Sequence, residues 1–172
     1  MRKTLVSAVV AVSLAIAPEA WGAVAGGAFA ANARSFQEVP AISSSATIEF
    51  TGTVDETNTT LTYTLTYSGF RGDVTQAHIH FGQMGVNGGI VIFLCSNLGN
   101  GPEGTQACPE SGTITGTATT ANVGGGASAQ GIAPGAFNRV TQAIRQGVAY
   151  VNVHTTLFPG GEARGQIAFT SD

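Results

Sequence analysis

The stretch ATIEFTGTVDETNTTLTYTLTY, residues 46–67, predicts a pair of antiparallel strands. In both halves, apolar or small residues occupy every second position and Thr or Glu mostly fills the positions between them. A period of two is typical of a strand with one buried face, and the polar segment 56–60 between the halves suits a hairpin turn. The positions predicted to face inward are Ala46, Ile48, Phe50, Val54, Leu61, Tyr63, Leu65 and Tyr67.

The rest of the chain continues this strand pattern. GIVIFLC, residues 89–95, is a continuous apolar run, which predicts a strand in the middle of the sheet. Residues 111–119, 148–155 and 163–170 read as further strands. Only PGAFNRVTQAIRQG, residues 134–147, has helical spacing. The predicted fold class is therefore all-β, an antiparallel β-sandwich or Greek-key barrel with one short helix.

The beginning of the chain has the features of an export signal. After a short basic start, Thr4–Ala17 forms an apolar run of 14 residues. A bilayer requires about 20 residues, so this run suits a signal-peptide core better than an uncleaved membrane anchor, the alternative. Small residues at Ala23–Ala25 form the favoured cleavage site, and Ala28–Ala30 forms a second one.

Cleavage at the favoured site divides the chain into three parts. They are a signal peptide at 1–25, a flexible mature N-terminus at 26–34 and a single domain at 35–172. The expected location is secreted or periplasmic, with no stable membrane span after cleavage.

The cysteines agree with that location. Cys95 and Cys108 are the only two in the chain, and an oxidising compartment lets them form a disulfide. The alternative is a site in which two thiols bind a metal, but their spacing differs from the two-residue spacing of zinc ribbons. Charged residues make up 10% of the chain, the net charge is -3 and no basic patch is present, which excludes nucleic-acid binding.

The histidine pattern AHIH is the first candidate for chemistry. Residues two apart on a strand point the same way, so His78 and His80 share a face. His154 lies on another predicted strand and shares its face with Tyr150 and Asn152. If the two strands pair, three imidazoles converge, a ligand set that suits copper or zinc. The alternatives are histidines that hydrogen-bond within the sheet and a pH-sensitive or partner-binding surface.

The segment GGEARGQ, residues 160–166, is the second candidate. Glu162 and Arg164 are two apart, and together with Asn152 they are candidates for binding a ligand or partner. The favoured alternative is that Glu162 or Glu38 neutralises Arg164 and the pair braces the sheet.

Nothing in the sequence points to a catalytic motif. There is no G-x-S-x-G nucleophile turn, no phosphate-binding loop and no motivated pair of carboxylates. These absences favour a protein without catalytic residues.

Four ordered motifs carry a resemblance to a known family. They are E-V-P, A-H-I-H-F-G, Y-V-N-V-H-T and P-G-G-E-A-R-G-Q-I, and between about Ser35 and Phe169 the chain resembles the CHRD domain. That domain is named after chordin, an extracellular antagonist of growth-factor signalling, and also occurs as single exported bacterial domains. The chain departs from the family pattern at Ala41, where a second proline is common, and at Phe158, where asparagine is common. The family's biochemical role is poorly defined, and chordin's role does not transfer to a single copy.

Three functions remain open from the sequence. The first is an exported, non-enzymatic binding or interaction module of the cell envelope or extracellular space, with an unknown extracytoplasmic protein or small ligand as partner. The second is a mononuclear copper or zinc protein that uses His78, His80 and His154. The third is a purely structural envelope or matrix domain. Bound metal would separate the first two, and loss of partner binding in folded surface variants would separate the first from the third.

Overall fold

The computed structural model describes residues 26–170, so the predicted signal peptide at 1–25 lies outside the described residues. No helix in this described range is long and apolar enough to cross a membrane. The range contains nine strands and one α-helix. Their bounds are β1 Gly27–Arg34, β2 Thr47–Val54, β3 Leu61–Ser68, β4 Val74–Phe81, β5 Gly89–Ser96, β6 Gly112–Ala118, α1 Phe137–Arg145, β7 Ala149–Thr155, β8 Ala163–Gln166 and β9 Ala168–Phe169.

The strands form one antiparallel sheet in the order β5-β4-β7-β8-β1-β2-β3-β6, and β9 pairs with β1. The sheet curls into a nearly closed barrel around one hydrophobic core. The predicted fold class, all-β with one short helix, is confirmed.

The hairpin predicted from residues 46–67 is formed by β2 and β3. Ile48 lies opposite Tyr67, and Phe50 lies opposite Leu65. All eight positions predicted to face inward are buried, and the threonines between them face outward or lie half-buried. The alternation of apolar and polar residues therefore assigned both faces of these strands correctly.

The prediction of a flexible segment at residues 26–34 is wrong. These residues form β1, which pairs with β2 along its whole length and contacts β8 and β9 on the other side. Phe29, Ala31 and Ala33 point into the core, where none is more than 4% exposed. The residues of GAFAANAR alternate as those of a strand do. Alanines give a weak apolar signal, so the sequence pattern did not reveal this strand.

The prediction that GIVIFLC lies in the middle of the sheet is also wrong. β5 is the end of the strand path and pairs only with β4. Its outer edge is covered by the segment after β6, through a bridge between Ile92 and Val123 and a hydrogen bond from Gly124 N to Val91 O. This cover buries the strand, so its continuous apolar run reflects burial and not a central position.

The predicted disulfide is confirmed between Cys95 on β5 and Cys108. It closes the polar loop that leaves the end of β5. Asn97 holds the same loop, since its amide nitrogen donates to the carbonyl of Cys108 and its oxygen accepts from the backbone N–H of Cys108. The loop is thus tied to the barrel by a covalent bond and two hydrogen bonds.

The predicted helix is present, but it is shorter than the segment 134–147 that has helical spacing. It begins at Phe137, three residues after Pro134, and ends just before Gly147, which has the left-handed conformation that stops a helix. Val140 and Ile144 complete its apolar side and are buried against the barrel.

Candidate metal centre

Strands β4 and β7 bring the three histidines together. The two strands are antiparallel neighbours, with His78 opposite Asn152, His80 opposite Tyr150 and Gln76 opposite His154. On each strand, the residues between these positions point into the barrel core. All three predicted metal ligands therefore lie on the other face of the sheet, and one ring nitrogen of each lies within 4.8 Å of the others.

This face of the sheet is covered and not open to solvent. His78 is 0% exposed, His80 7% and His154 6%. The loop after β1 brings Glu38 over this face, and the loops after β4 and β7 each contact a histidine. The histidines thus lie in a second buried layer, which is polar, outside the apolar core.

Two backbone carbonyls orient two of the rings. Nδ1 of His80 lies 2.9 Å from the carbonyl oxygen of Gly88, and Nδ1 of His154 lies 2.9 Å from that of Pro159. A carbonyl can only accept, so each Nδ1 carries the proton and each Nε2 keeps a free lone pair. Histidine ligands of metals are commonly oriented in this way by a hydrogen bond to the second nitrogen.

The remaining ring nitrogens have no hydrogen-bond partner. Nε2 of His80, Nε2 of His154 and both nitrogens of His78 are buried without one. Buried polar atoms are normally paired, because an unpaired one costs on the order of 1–3 kcal/mol. Three histidines that served only to support the sheet would be expected to bond to nearby polar groups. An unpaired nitrogen on each of three neighbouring rings instead fits a bound ion as the missing partner.

All three imidazoles are held neutral. Burial lowers the pKa of His78 to about 2, helped by the neighbouring rings of His154 and His80. Burial also lowers the pKa of His80, to about 4, although its hydrogen bond to Gly88 opposes the shift. The pKa of His154 is lowered for the same reason, against the opposing effects of Pro159 and Glu38. Neutral imidazole is the form that binds a metal.

Aromatic rings line the cluster on two sides. The ring of Tyr150 stacks on that of His80, with centroids 4.7 Å apart and an interplanar angle of 6°. The ring of Phe93 meets that of His78 edge-on at 4.4 Å. These walls limit the freedom of the imidazoles.

Arg164 lies behind the Tyr150 wall. Its guanidinium carbon is 4.5 Å from the centroid of the Tyr150 ring. The same group forms an ion pair with Glu38 and donates to the carbonyl of Val86 and to the side chain of Asn87. The interpretation that Glu38 neutralises Arg164 and that the pair braces the sheet agrees with these contacts.

The other two residues predicted to bind a ligand or partner are also engaged internally. Asn152 donates to Glu38 at 2.5 Å and to the carbonyl of Ala163 at 3.2 Å, while its own oxygen is buried without a partner. Glu162 is not paired with Arg164, because it accepts instead from the backbone of Arg71 and the hydroxyl of Thr155, both at 2.9 Å. Asn152, Glu162 and Arg164 are at most 5% exposed, which leaves little of them for a partner to contact.

The close packing around Glu38 and Asn152 explains why position 161 is a glycine. A Cβ on Gly161 would lie 2.5 Å from a carboxylate oxygen of Glu38 and 2.7 Å from the amide nitrogen of Asn152. Gly161 also has φ +122°, a conformation that favours glycine. The pattern P-G-G-E therefore makes room for Glu38 above the sheet.

Sequence reasoning did not find every part of the site. The carbonyls of Gly88 and Pro159 carry no sequence signal, since any residue has a carbonyl. The similarity between the two segments that follow His80 and His154, in which a loop rich in glycine leads to the next strand, was the available hint. Asn87 and the wall residue Phe93 gave no hint, because their contacts depend on how the loop and β5 fold back.

Comparison with known proteins identifies one family. A family model described as the CHRD domain matches residues 29–167, which is most of the chain. No curated protein and no solved structure matches the chain.

Proposed function

The chain belongs to the CHRD domain family, and on that premise we propose that it is an exported metal-binding protein in which His78, His80 and His154 hold one copper or zinc ion. One observation carries this proposal. Three neutral imidazoles converge in a buried layer, and the nitrogens that face no carbonyl have no hydrogen-bond partner. A metal ion at their centre would satisfy one nitrogen of each ring and offset the cost of burying them.

The proposed role is binding and not catalysis. The three ligands are between 0 and 7% exposed, and aromatic rings stand against two of them. A catalytic metal needs a position that water and substrate can reach. The closed arrangement therefore supports a non-enzymatic binding module whose ligand is the ion itself. Export is the part of the proposal that rests on the signal-like sequence and is compatible with the disulfide.

Elemental analysis tests the metal site. The protein is purified without a histidine tag from an export compartment, beside the variants His78→Ala/His154→Ala and Gln76→Ala. Gln76 is the matched control, because it lies on the same face of β4, opposite His154, and its side chain accepts a hydrogen bond from Asn100 and forms none with a histidine. We expect about one copper or zinc per chain in wild type and control, and none in the double variant. Wild-type protein that stays metal-free after incubation with either metal and dialysis would refute the proposal.

Mass spectrometry of the exported protein tests the location. We expect the mature chain to begin at Gly26, after the favoured cleavage site. Full-length protein that remains in the cytoplasm would contradict export without affecting the metal site.

A further inference from the structure

We infer that the site selects monovalent copper over the divalent ions Zn²⁺ and Cu²⁺. This inference rests on the proposed metal site and names the ion that it takes. Three features of the site favour it: the charge of the ligands, the number of ligands and the exclusion of water.

The ligands bring no negative charge to the ion. No Asp, Glu or Cys joins the three histidines within residues 26–170, and an imidazole that binds a metal is neutral. The free energy cost of burying an ion rises with the square of its charge, so a divalent ion costs about four times as much as a monovalent one. Neutral ligands reduce that cost less than carboxylates or thiolates do. The site therefore penalises Zn²⁺ and Cu²⁺ more than Cu⁺.

The nearest fixed charges, those of Glu38 and Arg164, form a neutral pair. The guanidinium of Arg164 lies on the far side of the Tyr150 ring from His80, and its positive charge is offset by Glu38. Glu162, the other buried carboxylate beside β7, directs its oxygens to Arg71 and Thr155. Both carboxylates are thus engaged by other groups, and neither belongs to the ligand cluster.

The coordination number points the same way. Zinc in proteins is almost always four-coordinate, with water as the fourth ligand where the protein supplies three. Here the ligands are nearly fully buried, and the rings of Phe93 and Tyr150 pack directly against His78 and His80. Cu⁺, with a filled d shell, is stable with three ligands in a plane. A closed cluster of three imidazoles therefore suits Cu⁺ better than an ion that requires a fourth ligand.

The test is a competition between ions on the wild-type protein. Metal-free protein is titrated without oxygen with Cu⁺ against a Cu⁺-specific chelator, and separately with Zn²⁺ and Cu²⁺ against chelators of divalent ions. We expect Cu⁺ to bind one per chain and about 100-fold more tightly than Zn²⁺ or Cu²⁺. X-ray absorption of the Cu⁺ protein should show three nitrogen neighbours and no oxygen.

The outcomes separate this inference from the proposed function. If Zn²⁺ or Cu²⁺ binds as tightly as Cu⁺, or with an oxygen neighbour such as the unpaired oxygen of Asn152, the metal site stands and the preference for Cu⁺ is refuted. If no ion binds, both are refuted.

A pair of variants tests the physical reason. Phe93→Asp places a carboxylate beside His78, where the Phe93 ring now lies, and Phe93→Leu is the neutral control. We expect Phe93→Asp to bind Zn²⁺ at least about tenfold more tightly than wild type, and Phe93→Leu to keep the wild-type preference. A folded Phe93→Asp protein with unchanged Zn²⁺ affinity would overturn the argument from charge. The wild-type competition decides the preference even if this variant fails to fold.

Discussion

At the scale of single residues, the buried polar layer over β4, β7 and β8 governs both binding and stability. Its histidines are neutral, and several of their ring nitrogens have no hydrogen-bond partner. Its ion pair between Glu38 and Arg164 is almost fully buried. Both arrangements cost stability in the metal-free protein unless another interaction offsets them. Two predictions follow from this layer.

The metal-free protein should lose stability as the pH falls from about 6.5. The unfolded histidines take up protons near that pH, whereas folded His78 and His80 stay neutral because their pKa values are lowered to about 2 and about 4. Since the unfolded state binds more protons, each of these two histidines should cost about 2 kcal/mol between pH 6.5 and 5. Urea unfolding at several pH values measures the effect.

His78→Leu is the control for this pH dependence. It removes one of the titrating groups and should make the loss of stability between pH 6.5 and 5 clearly smaller. Equal stability of the metal-free wild type at pH 7 and pH 5 would show that the histidines are accessible to protons when folded.

The ion pair gives the second prediction. Glu38→Gln leaves the charge of Arg164 buried without its partner and should lower the free energy of unfolding by about 3–5 kcal/mol. Glu49→Gln is the matched control on an exposed position of β2 and should change it by less than about 0.5 kcal/mol. Thermal unfolding of the two variants is the measurement, and equal melting temperatures would mean that the pair contributes nothing.

At the scale of elements, the sequence predicted the strands in which apolar and polar residues alternate. It did not show which strand edge is covered by another segment. Every inward position of β2 and β3 was predicted because each strand has one apolar and one polar side. β1 was missed because alanine is a weak signal, and β5 was placed wrongly because a covered edge strand has the same composition as a central one. The histidine cluster was predicted from periodicity alone, given that β4 and β7 pair. Its carbonyl partners and Phe93 could not be predicted, since they come from loops and from β5.

The disulfide provides the prediction at this scale. Cys95→Ala opens the loop between Cys95 and Cys108 and should cost on the order of 3 kcal/mol in non-reducing conditions. Calorimetry with and without reductant measures it, and reduced wild type should melt close to the variant. Unchanged stability of Cys95→Ala would indicate that the hydrogen bonds of Asn97 hold the loop without the disulfide.

At the scale of the whole molecule, β1 joins the two halves of the barrel. On one side it pairs with β2, and on the other it contacts β8 and β9. Phe29, which is 1% exposed, is its largest contribution to the core. The position of β1 therefore decides which of the two predicted cleavage sites is compatible with folding.

A chain that begins at Gly26 should fold cooperatively, whereas one that begins at Ala31 should not. The second chain lacks half of β1 and the Phe29 side chain, and loss of a buried Phe side chain alone typically costs about 3–5 kcal/mol. Circular dichroism and chemical unfolding of the two chains compare them. Cooperative unfolding of the shorter chain with similar stability would refute the assigned role of β1.

The place of β1 between β2 and β8 also determines the order in which the parts of the barrel can assemble. β1, β2, β3 and β6 form one side of the sheet, and β5, β4, β7 and β8 form the other. The two sides meet at Arg34 and Arg164, so the join waits until the last strands have been synthesised. Glu38 comes from the early side and lies over the histidine face, and its partner Arg164 comes from the late side. An incomplete chain therefore has an incomplete site. A metal can be enclosed only after both the segment that carries Glu38 and the strand that carries Arg164 have been synthesised.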